Sequence, residues 1–147
     1  MHSVTLHLGE TTLTLTVGTA QHLPPIGIST LAQAFGHRMP HALALENAIA
    51  DVEDAVMSVA QWLPSGVQTL HTRDPLLVQL IHSTTGNPKA SSASREAVES
   101  LFSALARQAQ KPGFHDLQLT QTAEASAALL ILREAMHHWG MTEIAVI

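Results

Sequence analysis

The sequence has no cysteine, no tyrosine and only seven Lys and Arg residues among 147. The absence of cysteine excludes thiolate metal sites, thiol catalysis and disulfides. The net charge is −5, and nucleic acids and anionic membranes both require clustered Lys and Arg. No apolar run approaches the length of about 18 residues that a membrane-spanning helix needs. We therefore expect neither nucleic acid nor a membrane among its partners.

The N-terminal segment MHSVTLHLGE has no basic region followed by a long apolar core, so we expect no signal peptide. Together with the lack of cysteine, this predicts a cytoplasmic protein. The hydrophobic fraction is 46% and the charged fraction is 13%, values typical of a globular chain. A chain of this length predicts one domain that covers residues 1–147.

Residues 3–8 and 12–17 alternate strictly between apolar side chains and Ser, Thr or His, which predicts an antiparallel β-hairpin over residues 3–17. A two-residue turn at Gly9 and Glu10 would pair Leu6 with Leu13, whereas a four-residue loop would shift the pairs but keep the faces. His7 falls on the threonine-rich face, where we expect a cross-strand surface residue. The apolar face must pack on helices or further strands, because a lone hairpin is only marginally stable.

The rest of the chain is predicted to form helices near residues 29–36, 41–63, 75–82, 95–110 and 122–139, strands at 67–71 and 142–147, and a brief strand at 117–119. Residues 18–28 and 83–94 are predicted loops. Asp74 and Ser94 suit helix N-caps, and Gly140 suits a left-handed C-terminal cap. These elements predict an α+β fold in which the N-terminal hairpin and the C-terminal strand share a small sheet, packed against a layer of about four or five helices.

The last predicted helix has apolar residues nearly all the way round its middle. Ala125, Leu129, Leu132 and Met136 form its main stripe, but Leu130 and Ile131 lie off it. Such a helix is covered on more than one side.

The densest group of candidate metal ligands is Glu134, His137 and His138. Their spacing places Glu134 beside both imidazoles on the side of the last helix that we expect to be polar. Two imidazoles and a carboxylate can bind a divalent metal if a further ligand arrives from elsewhere. The other interpretation is an ordinary surface pair near a helix C-terminus, where histidine is favoured. The sequence indicates no other cofactor.

A second candidate site is the polar stretch that contains Lys89, Ser92 and Arg95. It gathers hydroxyls and two cations before a helix N-terminus, where anions are attracted by free N–H groups. The stretch lacks the spaced glycines and the Lys-Ser/Thr pair of a P-loop. A flexible, capped loop is the alternative.

Trp62 falls off the apolar stripe of the long helix, beside an acidic face, and aromatic residues are enriched at protein interfaces. We therefore predict a non-catalytic accessory or protein-binding protein that homo-oligomerises or binds another protein. One alternative is a metal- or His-dependent hydrolase that uses Glu134 with His137 or His138. Another is an anion or phosphate-ligand binder at Lys89 and Arg95.

Overall fold

The computed structural model describes residues 3–111 and 113–147. Its strands are β1 (Val4–Leu8), β2 (Leu13–Val17), β3 (Ala20–His22), β4 (Thr69–Thr72), β5 (Ser92–Ser94) and β6 (Glu143–Val146). Its helices are α1 (Ile28–Ala34), α2 (Ala42–Met57), α3 (Pro75–Thr85), α4 (Arg95–Gln110) and α5 (Ala123–His138), with a 3₁₀ turn at Ala60–Trp62. The predicted α+β class is confirmed.

The six strands form one mixed sheet in the order β3-β2-β1-β4-β6-β5. Strands β1, β4 and β6 run parallel to one another, whereas β2 is antiparallel to β1 and β5 is antiparallel to β6. The N-terminal hairpin and the C-terminal strand therefore share a sheet, as predicted. The C-terminal strand lies inside the sheet, between β4 and β5.

The hairpin uses the longer of the two predicted loops. Leu6 pairs with Leu15 and Leu8 with Leu13, so residues 9–12 form a four-residue connection. The side chains of Leu6, Leu8, Leu13 and Leu15 are all buried, so the predicted faces are confirmed. A shift of two residues keeps every side chain on its face because the strand period is two.

Helix α5 is the centre of the helical layer and packs against the other four helices. Leu130 and Ile131 are both fully buried, as are Leu132 and Met136. The prediction that this helix is covered on more than one side is confirmed.

Five local predictions differ from the structure. The long helix ends at Met57 rather than near residue 63, because Trp62 belongs to the separate 3₁₀ turn. The predicted loops 18–28 and 83–94 each contain a three-residue strand, and α3 continues to Thr85. Residues 117–119 form no strand. A three-residue strand is too short to show a clear alternation in the sequence, and its formation depends on pairing with neighbouring strands.

The sequence predicts no membrane-spanning helix. Within residues 3–111 and 113–147, no helix is long and apolar enough to cross a bilayer.

Candidate functional site

The carboxyl ends of β1, β4 and β6 meet at one edge of the sheet because these three strands are parallel. In open sheets with parallel strands, ligands bind outside this edge. The β1–β2 loop (residues 9–12) and the β4–α3 connection (residues 73–74) lie here. We therefore expect a ligand-binding site at this edge.

Asp74 is a buried carboxylate that ties these segments together. Its Oδ2 atom accepts a hydrogen bond from the Leu8 amide at 2.9 Å, and its Oδ1 atom accepts one from the Leu76 amide at 3.0 Å. Thr72 fixes the turn, because its hydroxyl donates to the Leu6 carbonyl and accepts from the Asp74 amide. The predicted N-cap at Asp74 is confirmed, and the same carboxylate also holds the end of β1.

His7 is the partner of this carboxylate on the solvent side. Its Nδ1 atom lies 3.1 Å from Asp74 Oδ2, and 63% of its side chain is exposed. At this distance the Nδ1–H tautomer of His7 can donate to the carboxylate, because an ionised carboxylate only accepts hydrogen bonds. The Nε2 atom then presents a lone pair, and a buried Asp that fixes the tautomer of a His is the arrangement found in general-base catalysis.

The β1–β2 loop is anchored by the first turn of α1. The Gly9 and Glu10 carbonyls accept from the Ile28 and Ser29 amides, both at 2.9 Å. The buried Gly27 lies so close to this loop that a Cβ atom there would overlap the Glu10 carbonyl. Two segments that are distant in the sequence thus hold the loop in one conformation.

The amides of residues 10–12 are left available by this arrangement. Among residues 3–111 and 113–147, no carbonyl or side chain accepts a hydrogen bond from them. All three residues are exposed, and two of them, Thr11 and Thr12, add hydroxyls. Successive free N–H groups at a turn can bind an anion. Arg73, exposed on the neighbouring connection, supplies a positive charge at the same edge.

The sequence patterns correctly placed His7 on the solvent-facing side of the hairpin, but they did not predict that it pairs with Asp74. Asp74 was predicted only as a helix cap. His7 lies at the end of β1, and Asp74 follows the end of β4. They come together because β1 and β4 are parallel neighbours in the sheet, which the sequence pattern does not indicate.

The predicted metal cluster is partly assembled, with one change of member. Glu134 and His138 converge, and the third group is Glu53 of α2; the three ligand atoms lie within 4.8 Å of one another. His137 is exposed and packs edge-on against the His138 ring. Glu134 is only 1% exposed, so the expectation of a polar helix face at this position was wrong. That face packs against α2 and α4.

The predicted anion-binding stretch, which contains Lys89, Ser92 and Arg95, is not simply a flexible loop, because part of it forms β5 and the start of α4. Ser92 lies in β5, opposite Ala145, and the Arg95 amide donates to the Thr142 carbonyl. Ser94 caps α4 by accepting from the Ala97 amide, as predicted. Across the described ranges, no hydrogen bond or ion pair joins the side chains of Lys89, Ser92 and Arg95. Anion binding there stays a prediction.

Trp62, the predicted interface residue, is 54% exposed. Its ring stacks on that of His22, with 5.2 Å between ring centroids and 9° between ring planes. The stack holds the indole on the surface. Its role in self-association stays a prediction.

A cleft of about 790 Å³ lies at the opposite edge of the sheet, beside the amino ends of β1 and β4. Ser3, Thr69 and His71 line it together with residues 64–68. No Lys or Arg occurs in its lining, so it lacks the positive charge that phosphate binding favours. The carboxyl edge is the better candidate for an anionic ligand.

No protein-family model and no curated protein matches the sequence. Several solved structures match the fold. The Ppx/GppA phosphatase of Aquifex aeolicus, in its type II variant, superposes with a TM-score of 0.68 at 13% identity, over 99% of this chain and 52% of that chain. An exopolyphosphatase from Cytophaga hutchinsonii gives a TM-score of 0.66 at 14% identity, over 99% and 52%.

An exopolyphosphatase-like protein gives a TM-score of 0.68 at 12% identity, over 98% of this chain and 55% of that chain. At such identities the likeness establishes the fold. The chain spans about half the length of these solved structures.

Proposed function

We propose that this chain is a hydrolytic domain that acts on phosphate compounds at the carboxyl edge of its parallel strands. The observation that carries the proposal is the His7–Asp74 pair, an exposed imidazole oriented by a buried carboxylate. The pair lies at the edge where this class of sheet binds its ligands. Polyphosphate is the first substrate to test, because two of the similar solved structures are described as an exopolyphosphatase and an exopolyphosphatase-like protein.

The proposed chemistry is attack of water on a terminal phosphorus atom. Asp74 accepts a hydrogen bond from Nδ1–H of His7 and so fixes its tautomer, and Nε2 takes a proton from the attacking water. The bond between phosphorus and the leaving oxygen breaks as the new P–O bond forms. A positioned general base of this kind contributes about 10²- to 10⁴-fold to the rate.

The binding part of the proposal rests on the β1–β2 loop. The amides of residues 10–12 and the Arg73 guanidinium donate to phosphoryl oxygens, and this stabilises the negative charge of the transferring group. Glu10 is the one carboxylate of the loop, and we expect its side chain to point away from the bound anion because like charges repel.

Phosphate release from polyphosphate and from p-nitrophenyl phosphate tests the proposal. We expect His7→Ala to lower kcat by about 10² to 10⁴ with little change in KM, because the ring acts on water rather than on the bound phosphate. Arg73→Gln should raise KM about tenfold or more, since it removes a charged hydrogen-bond donor. His41→Ala, which removes an exposed imidazole outside the site, is the matched control.

Two results would count against the proposal. If the wild-type chain neither releases phosphate nor gains thermal stability in pyrophosphate, the edge binds no phosphate compound, because a ligand that binds only the native state must stabilise it. If phosphate is released at the same rate by His7→Ala and wild type, His7 is not the base.

A further inference from the structure

Glu53, Glu134 and His138 bring two carboxylates and an imidazole together between α2 and α5. His138 Nε2 lies 3.6 Å from Glu53 Oε2 and 3.9 Å from Glu134 Oε2. This cluster is near the C-terminus of α5, which leads into the amino end of β6, so it lies away from the carboxyl edge that holds His7. The proposed hydrolytic site makes no use of it.

The spacing of the three groups fits a small tetrahedral metal ion. Zn²⁺ binds imidazole nitrogen and carboxylate oxygen at about 2.0 to 2.2 Å, so neighbouring ligand atoms in a tetrahedral site are about 3.4 Å apart. The two separations from His138 Nε2, 3.6 and 3.9 Å, are close to this value, and all three ligand atoms lie within 4.8 Å of one another. Rotation about the side-chain torsions of Glu53, which is half exposed, can close that difference.

The local charge also favours a bound cation. Arg133 pairs with Glu134 through Nη1 at 3.1 Å and with Glu99 through Nε at 3.2 Å. Counting Glu53, three carboxylates share one guanidinium, which leaves two uncompensated negative charges when His138 is neutral. The buried Glu134 is compensated by Arg133, so the remaining negative charge lies on the more exposed Glu53 and Glu99. A divalent ion balances the cluster.

Arg133 would orient one of the ligands of such a centre, because it donates a hydrogen bond to Glu134. Carboxylates that ligate metals are themselves held by hydrogen bonds from a second layer of residues. The Arg133 guanidinium orients Glu134 and is fixed in turn by Glu99 and by the Phe102 ring, whose centroid lies 4.8 Å from the guanidinium carbon. The most buried ligand is therefore pre-oriented.

We propose that Glu53, Glu134 and His138 form a structural Zn²⁺ site that clamps α2 to α5, with water as the fourth ligand. The donor set favours zinc over magnesium, because Mg²⁺ prefers six oxygen ligands and Zn²⁺ accepts imidazole. Glu134 is buried, and the cluster lies away from the carboxyl edge that holds His7. The centre stabilises the fold and does not take part in the hydrolysis proposed above.

The test uses the chain purified without an affinity tag, stripped with a chelator and titrated with ZnCl₂. We expect one Zn²⁺ per chain and a Tm rise of about 5 to 15 °C at a free Zn²⁺ concentration 100 times Kd, with no comparable effect of MgCl₂. Co²⁺ in place of Zn²⁺ should give the visible absorption of a tetrahedral site.

Variants separate this centre from adventitious binding to histidines. Glu53→Gln changes a half-exposed residue and should fold normally, yet weaken Zn²⁺ binding about tenfold or more. His138→Gln should do the same, whereas His137→Gln, the neighbouring imidazole outside the cluster, should bind Zn²⁺ as wild type does. Absence of stoichiometric Zn²⁺ in the wild type, or an equal loss in His137→Gln and Glu53→Gln, would overturn the proposal.

Discussion

Replacing Asp74 by alanine removes a carboxylate that caps helix α3 and also accepts a hydrogen bond from the end of β1. Loss of the N-cap acceptor for the Leu76 amide costs about 0.5 to 2 kcal/mol. The Leu8 amide, which Asp74 satisfies at 2.9 Å in buried surroundings, is left without an acceptor at a cost of about 1 to 3 kcal/mol. We expect the free energy of unfolding to fall by about 1.5 to 5 kcal/mol, the sum of these two costs.

Urea unfolding of Asp74→Ala, His7→Ala and wild type measures this difference. The His7 ring is largely exposed, and an exposed ion pair adds little, so His7→Ala should change stability by less than about 1 kcal/mol. Both variants should lose the proposed hydrolytic turnover, because one removes the proposed base and the other removes the carboxylate that orients it. If Asp74→Ala proves as stable as His7→Ala, the carboxylate does not satisfy a buried amide and the reasoning is refuted.

Three further substitutions test the packing that positions the site. Gly27→Ala places a methyl group against the Glu10 carbonyl and should cost about 1 to 3 kcal/mol in urea unfolding while weakening phosphate binding; an unchanged pyrophosphate-induced Tm shift would contradict this. Leu130→Ala, off the main stripe of α5, should cost about 2 to 5 kcal/mol, as much as Leu129→Ala on the stripe, and a cost below about 1 kcal/mol would show that the second side is not packed. Ser94→Ala removes the cap of α4 and should lower stability by about 1 kcal/mol, whereas Ser94→Asp should retain it.

Local features of the fold follow from local sequence signals. Asp74, Ser94 and Gly140 end or begin helices where a side-chain acceptor or a left-handed residue is required, and all three occupy those positions. The alternation of the hairpin predicted the buried face of β1 and β2. These signals act between residues a few positions apart, so a single sequence contains them.

Contacts between segments that are distant in the sequence could not be predicted from these local patterns. A period of two or 3.6 residues predicts which face a side chain occupies, but it does not predict the neighbour of that face. Glu53 belongs to the acidic face of the long helix, and only the packing of α2 on α5 brings it to His138. His137 was predicted as a ligand from its spacing, but α5 turns His138 rather than His137 toward α2.

The sequence by itself determined the absence of thiol chemistry, the α+β class, the two-faced hairpin and the burial of the last helix on more than one side. The tertiary structure decided the parallel arrangement of β1, β4 and β6, which joins His7 to Asp74 across 67 positions of sequence. The physical reason is that backbone pairing between strands depends on hydrogen bonds that every residue type offers. Strand order therefore follows from how the whole core packs, and the candidate site is a consequence of that order.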